Sequence, residues 1–305
     1  MNNNDIIKED SLIKGIWFED NQYDNLSEPI TFYEDHPKQT FTIPQSHLQS
    51  PRLFESLKNK YGSTMTIIGY DTVRNLTIKF DTVLATGEFV TYVKFNQTYQ
   101  NFKNRELKSP YDGTFFGIGY LGVGPYSKVT HKKYYSHWSN MMTRCYNPES
   151  WKIRPKYKGC SVHPYFHNFQ NFCYWCDQNY YEVGGEMMCL DKDILYYRNK
   201  VYGPTTCIFV PQTINKLFTF NQTSNNNMKL PVGVHMDTAT NLYIVKCHIK
   251  KQSVRVGSYR DPMEAFMAYK EVKEKEIKRV AEEYKGRIPD LLYDRLINYE
   301  IHPQR

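Results

Sequence analysis

Four residues near the middle of the chain have the types and spacing to do chemistry. The stretch "LDKDILYYRNKVYGPTTCIFVPQTIN" opens on an acid, a base and an acid, Asp191, Lys192 and Asp193, and closes on Asn215. Carboxylate and side-chain amide oxygens are the ligands that hard divalent cations take. Asp191 and Asn215, brought together by a hairpin and a helix, would hold Mg2+, or Mn2+ in its place, on a phosphate. Hydrolysis also needs a group that accepts a proton from water, and histidine suits that because it titrates near neutrality. Lysine titrates near 10.4, and flanking carboxylates push it higher. Lys192 therefore reads as a cationic clamp on phosphate rather than as a base. His163 is the first candidate base, with His167 and His137 in the same part of the chain, and Asp193 completes the catalytic set. The plainer reading of Asp191, Lys192 and Asp193 is a salt-bridged surface turn.

The elements around these residues must position them. The stretch reads as a strand over 188–191, an irregular loop, a short strand over 207–210, and a helix starting near Pro211, a residue suited to a first helical turn. Upstream, Tyr134, Trp138, Met141, Met142 and Cys145 recur at helical spacing, as do Phe169, Phe172, Cys173 and Cys176. Two amphipathic helices packed on each other are expected. Cys173 and Cys176, with Cys160 and His163, have the residue types of a zinc site. Both cysteines of the pair lie on an apolar helical stripe, however, where free Cys behaves as a small hydrophobe. That reading is preferred, and no structural Zn2+ is expected.

Strand, loop, strand and helix in this order resemble the ββα-metal core of HNH (His-Me finger) endonucleases, in the divergent form found in phage homing enzymes. The resemblance spans roughly 131–217. It places Asp191 on the metal-binding Asp and Asn215 on the metal-binding Asn. Lys192 stands where the first His would be, and Thr206 falls where the family has the middle Asn that pins the loop. The upstream "W..M..RCYN" and "F.NFQNF" blocks resemble what precedes this core in phage proteins.

Charge agrees with a polyanionic partner. The 305-residue chain carries a net charge of +7, but residues 1–36 hold nine acidic and two basic side chains. The remaining 37 basic and 23 acidic side chains give the rest of the chain +14, a balance that attracts nucleic acid. The acidic arm is a candidate contact for a protein partner. At 40% hydrophobic residues the chain is globular rather than disordered. No apolar run approaches the roughly 18 residues of a membrane span, and "MNNNDIIKED" lacks the parts of a signal peptide. Seven cysteines, an odd number without a paired framework, fit a reducing compartment. A cytoplasmic, phage-encoded protein of a bacterial host is expected.

The last third is the most regular. Strands are expected over 231–236, 242–249 and 253–259, then a helix capped by Asp261 with Pro262 in its first turn, burying Ala265, Phe266, Ala268 and Tyr269. "GVH", "NLYIVKCHI", "VRVGSY" and "DPMEAFMAY" resemble successive motifs of the ethylene-response-factor (Apetala-type) DNA-binding domain, over about 230–275. The resemblance implies that the open face of the sheet lies in the major groove. Period-two alternation puts Val245 and Cys247 inward, and Ile244, Lys246 and His248 outward, with Ser253 and Arg255 beside them. His235 and Arg260 join this DNA-binding set. Lys103 and Lys108, in "YQNFKNRELKSP", are candidate backbone contacts.

The expected protein is a multidomain α+β chain. Its parts are an acidic arm with a short helix at "SPRLFESLKNKYG" (1–60), a small β module (61–109), a Gly-rich linker or hairpin (110–130), an HNH-like ββα core with flanking helices (131–220), a linker (221–229), and a three-stranded antiparallel sheet with a C-terminal helix (230–305). The function expected is double-stranded DNA binding with metal-dependent phosphodiester cleavage. The alternative is an inactive, HNH-derived DNA-binding protein that acts as a phage regulator or an inhibitor of a host system.

Overall fold

A computed structural model of the chain describes residues 50–218, 230–250 and 252–303. The acidic arm and the 221–229 linker lie outside the described residues. The architecture is mixed α+β, with one four-stranded and one three-stranded antiparallel sheet and several helices.

The first sheet is a meander in the order β1 (Ser56–Lys58), β2 (Thr64–Thr72), β3 (Asn75–Val83) and β4 (Phe89–Gln97). Alternation in β2 buries Met65 and Ile67, which close on Leu76, Ile78 and Phe80 of β3. Helix α1 (Tyr99–Lys103) is capped by Thr98 and drops Phe102 into this core. The short helix expected over 50–62 is instead a turn followed by β1. Phe54 has φ +65°, in the left-handed region that a helix cannot pass through, and Asn59 folds its side chain back onto the amides of Tyr61 and Ser63.

The Gly-rich segment is packed rather than a free connector. Tyr111 and Tyr120 are buried, and Tyr120 bridges to Asn168. A Cβ on Gly119 would lie 2.7 Å from Met142 and 3.1 Å from Trp138, and one on Gly122 would overlap the Asn168 amide. These glycines let the backbone approach the helical unit closely. Buried Asp112 ties the segment to the first sheet through Ser63, Asn59 and the Ser109 amide.

Helices α2 (Lys132–Tyr146) and α4 (Phe169–Asn179) pack on one another as expected, burying Trp138, Met141, Met142, Phe169, Phe172, Cys173 and Cys176 in one core. Between them lies α3 (Pro148–Ile153), followed by β5 (Ser161–Val162). Strand β6 (Met188–Asp191) pairs antiparallel with β8 (Ile208–Pro211), and α5 (Gln212–Leu217) follows directly. An unanticipated strand, β7 (Val201–Tyr202), lies inside the connecting loop and pairs parallel with β5.

The C-terminal part contains β9 (Val234–Asp237), β10 (Leu242–Ile249) and β11 (Gln252–Tyr259), in the order β11-β10-β9. Helix α6 (Pro262–Tyr284) starts at Asp261, whose carboxylate accepts the amides of Met263 and Glu264. It buries Ala265, Phe266, Tyr269 and Ile277 against the sheet, while Ala268 is only half-buried. Helix α7 (Asp290–Ile297) closes the unit. The expected boundary near 221–229 does not divide two cores. Ile194, Ile208, Val210 and Ile214 share one apolar cluster with Val245, Phe266, Ile277 and Leu292.

Candidate functional site

Two sites emerge from this frame: the loop that follows β6, and the outer face of the three-stranded sheet.

Asp191 ends β6. One carboxylate oxygen, Oδ1, accepts the amides of Asp193 (2.9 Å) and Ile194 (2.8 Å), which turns the chain sharply out of the strand. Burial, and then the neighbouring Asp193 carboxylate, raise the Asp191 pKa to about 6, against the opposing pull of the two amides. Alternation puts Asp191 on the same side of β6 as Cys189, both partly exposed. Asn215 lies on α5, half-buried, and its side chain makes no hydrogen bond among the described residues. Helix α5 packs against β6, so the two expected cation ligands come from adjoining elements.

Lys192 is turned inward. The residue is only 6% exposed. Its ammonium donates to the Asn199 carbonyl at 2.7 Å, sits 3.3 Å from Asp193, and lies 5.8 Å from the centre of the Tyr202 ring. A cation committed to these partners braces the loop, and the clamp role expected for it finds no support in this placement.

The loop pin also differs from expectation. Thr206 Oγ1 donates to Val201 O at 2.8 Å, so Thr206 does hold the loop. The reciprocal brace, however, is Asn199. Its amide nitrogen donates to the carbonyls of Lys192 (2.6 Å) and Val201 (2.7 Å), and its oxygen accepts the Val201 amide (3.1 Å). Asn199 sits in "YRNKVY", seven residues after Lys192. The signal available was an Asn at the end of an irregular loop, two residues before Val201 and Tyr202, a β-branched and an aromatic residue.

The histidines are occupied. His163 Nδ1 accepts the Tyr165 amide at 3.2 Å as a cap, and burial lowers the pKa of this ring. A neutral imidazole that accepts at Nδ1 carries its proton on Nε2, so it is not set to take another there. His167 is buried and donates from Nε2 to the Val162 carbonyl at 3.0 Å. His137 packs edge-on against Phe209 with centroids 5.1 Å apart, and burial, then Arg144, lower its pKa to about 4. Among the described residues no group of three or more His, Cys, Asp or Glu side chains gathers as a metal site.

Two cations missed in the sequence, Arg144 and Lys216, lie near Cys189 of β6. Arg144 of α2 stacks its guanidinium 5.3 Å from the Tyr157 ring, and its Nε is buried without a hydrogen-bond partner. Burial raises the Cys189 thiol pKa, while Arg144 and Lys216 oppose that rise and Asp191 adds to it. All three charges therefore lie near Cys189. Arg144 is masked in the sequence by the apolar stripe around it.

In the second site the alternation holds. Val245 and Cys247 are buried under α6, and Lys246 and His248 are exposed. A bulge between Val245 and Lys246 sets Val256 out of register and pairs Lys246 with Arg255 and His248 with Ser253. Ile244 pairs with both His235 and Ser258. The outer face is thus three cross-strand rows carrying His235, Ile244, Lys246, His248, Ser253 and Arg255. Arg255 reaches Ser258 Oγ at 2.6 Å. One acid, Asp237, also lies near Arg255, and hydrogen bonds from Thr240 and Ala239 lower its pKa. Arg260 is exposed just beyond β11.

Lys103 and Lys108 are less available. Lys103 pairs with Glu55 at 3.1 Å, and Lys108 lies 5.1 Å from the Tyr61 ring. All seven cysteines are free; burial raises the pKa of Cys173 and Cys176, consistent with their use as core hydrophobes. No helix among the described residues is long and apolar enough to cross a membrane. Comparison with protein-family models, curated proteins and solved structures found no match to this chain.

Proposed function

We propose that this chain binds double-stranded DNA through the outer face of β9-β10-β11. The observation that carries the reading is the three-row array itself. Cationic and hydrogen-bonding side chains line up across neighbouring strands while the opposite face is sealed by α6. A β-ribbon fits the major groove, which is about 12 Å wide. Arg255 is the candidate base reader, since a guanidinium can donate two bonds to guanine, and Lys246 is a phosphate contact. The resemblance of "GVH…NLYIVKCHI…VRVGSY" to Apetala-type domains supports the same docking.

The test is a fluorescence-anisotropy titration against a preferred duplex, selected from a random pool, and against mixed-sequence DNA. Arg255→Ala should weaken the preferred site by about 1–3 kcal/mol and leave random DNA nearly unchanged. Lys246→Ala should weaken both and reduce the salt slope by about one unit. Absence of duplex binding at low salt, or two variants indistinguishable from wild type, would sink the reading.

A second reading, divalent-cation-dependent cleavage at the β6–α5 junction, is favoured by one observation. The Asp191 and Asp193 carboxyls repel one another, and Asn215 on the adjoining helix α5 offers an uncommitted amide oxygen. A divalent cation would relieve that repulsion, keep several waters, and stabilise charge on a leaving oxygen. Mn2+ binding should weaken as pH falls below about 6, where Asp191 takes up its proton. Asp191→Ala should abolish both Mn2+ binding and plasmid cleavage while leaving DNA affinity intact. Cleavage that survives this substitution would place the chemistry elsewhere.

A further inference from the structure

The helical unit carries a charge imbalance that neither site uses. Between residues 131 and 176 there are seven lysines and arginines and a single acid, Glu149. Four of these cations, Lys152, Arg154, Lys156 and Lys158, fall in the turn that runs from the end of α3 through the single 3-10 turn Pro155–Tyr157, and all four are exposed. Ile153 at the tip is 83% exposed. The loop after β6 adds a fifth. Lys200 is exposed, its ammonium reaches the Lys156 carbonyl at 3.4 Å, and its own carbonyl accepts the Ser161 amide at 2.9 Å. That pairing fixes the basic turn beside β5 and β7.

Glu149 pairs with Lys152 at 2.7 Å, which leaves Arg154, Lys156 and Lys158 as an excess of positive charge on the turn, and the strongest complement of such an excess is a regular array of phosphates. We propose that the exposed turn from Arg154 to Lys158, with Lys200, is a second contact for the phosphate backbone of double-stranded DNA, carried by different elements from the three-stranded sheet. The inference rests on the DNA-binding reading above and extends it. The sheet reads sequence, and the turn holds the flanking backbone.

The test compares full-length wild type with Arg154→Ala/Lys156→Ala/Lys158→Ala, using the preferred duplex at several salt concentrations. A control of equal charge change, Lys58→Ala/Lys275→Ala/Lys278→Ala, uses exposed lysines elsewhere. The turn variant should bind roughly ten-fold or more weakly, with the salt slope reduced by about 2–3 units, while the control stays close to wild type. Its hydroxyl-radical footprint should lose one flank and keep the protection assigned to the sheet. Single variants Arg154→Gln and Lys158→Gln should each lower the slope by about one unit, so a folding defect in the triple variant does not decide the question. Equal weakening by both triples would reduce the effect to net charge and overturn the inference. A turn variant that binds like wild type, while Lys246→Ala is weakened, would overturn it and leave the sheet reading standing. A wild-type protein that binds no duplex would remove both.

Discussion

Asn199→Ala tests the loop architecture most directly. Three hydrogen bonds disappear with the side-chain amide: those to the Lys192 and Val201 carbonyls, and the one from the Val201 amide. At about 0.5–1.5 kcal/mol net for each bond, the loss is about 1.5–4.5 kcal/mol. The upper half applies if the freed carbonyls stay sheltered from water. Thr206→Val removes one good bond, Oγ1 to Val201 O at 2.8 Å, and a marginal one to Gly203 O at 3.4 Å, for about 1 kcal/mol. Urea titration followed by tryptophan fluorescence reads both variants. Trp175 donates its indole N–H to the Pro204 carbonyl at 3.0 Å, so it reports from the same loop. The midpoint should move while the slope with denaturant stays constant. If Thr206→Val costs as much as Asn199→Ala, or if Asn199→Ala shifts stability by less than about 0.5 kcal/mol, the brace has been assigned to the wrong residue.

Lys192→His should not awaken cleavage. The shorter imidazole leaves the Asn199 carbonyl without its charged donor, so the expected result is a loss of about 1–3 kcal/mol in stability; a gain in plasmid cleavage would show that position 192 faces the substrate. Asp112 is buried, and its burial raises the carboxyl pKa above the ordinary value. The folded protein therefore holds this proton more tightly than the unfolded chain does. The resulting stability is full at pH below about 4 and is lost as pH rises through the folded pKa. Asp112→Asn, whose amide can donate to Ser63 and accept from Asn59 and the Ser109 amide, should remove that slope from melting curves taken across the acidic range, and an unchanged slope would assign it to another group.

Legibility followed the range of the forces involved. The C-terminal sheet and α6 could be read almost residue by residue, because period-two alternation and an Asp-Pro helix start are local signals. The packed pair α2 and α4 was legible for the same reason. The Gly-rich segment was not. Gly119 and Gly122 read as flexibility until Met142, Trp138 and Asn168, distant in sequence, are seen to fill the space where a Cβ would be. Asn199 was missed because its three bonds depend on how the loop closes. Lys192 read as exposed because lysine usually is, and only the loop's own carbonyl explains its burial. The turn at Phe54 was hidden inside an apolar–polar spacing that suits a helix equally well.

The shared core governs how the two sites can be separated experimentally. Ile194, Ile208, Val210 and Ile214, from the β6–α5 unit, pack with Val245, Phe266, Ile277 and Leu292 from the sheet and its helices. Tyr284 of α6 also donates its hydroxyl to Glu186, which accepts from Thr213 of α5 as well. Removing residues 230–305 would strip these side chains of their cover and expose a continuous apolar surface to water. Each Å2 of apolar area exposed costs about 25 cal/mol, set against a domain stability of only about 5–15 kcal/mol. A truncated protein that failed to bind DNA would therefore report unfolding as readily as loss of the reader. Substitutions on the outer face, Lys246 and Arg255 for the sheet and Arg154 and Lys158 for the turn, leave this core intact. The same packing holds the strand bearing Asp191 next to the module that carries the sheet, so the two sites are separable by surface substitution and not by truncation.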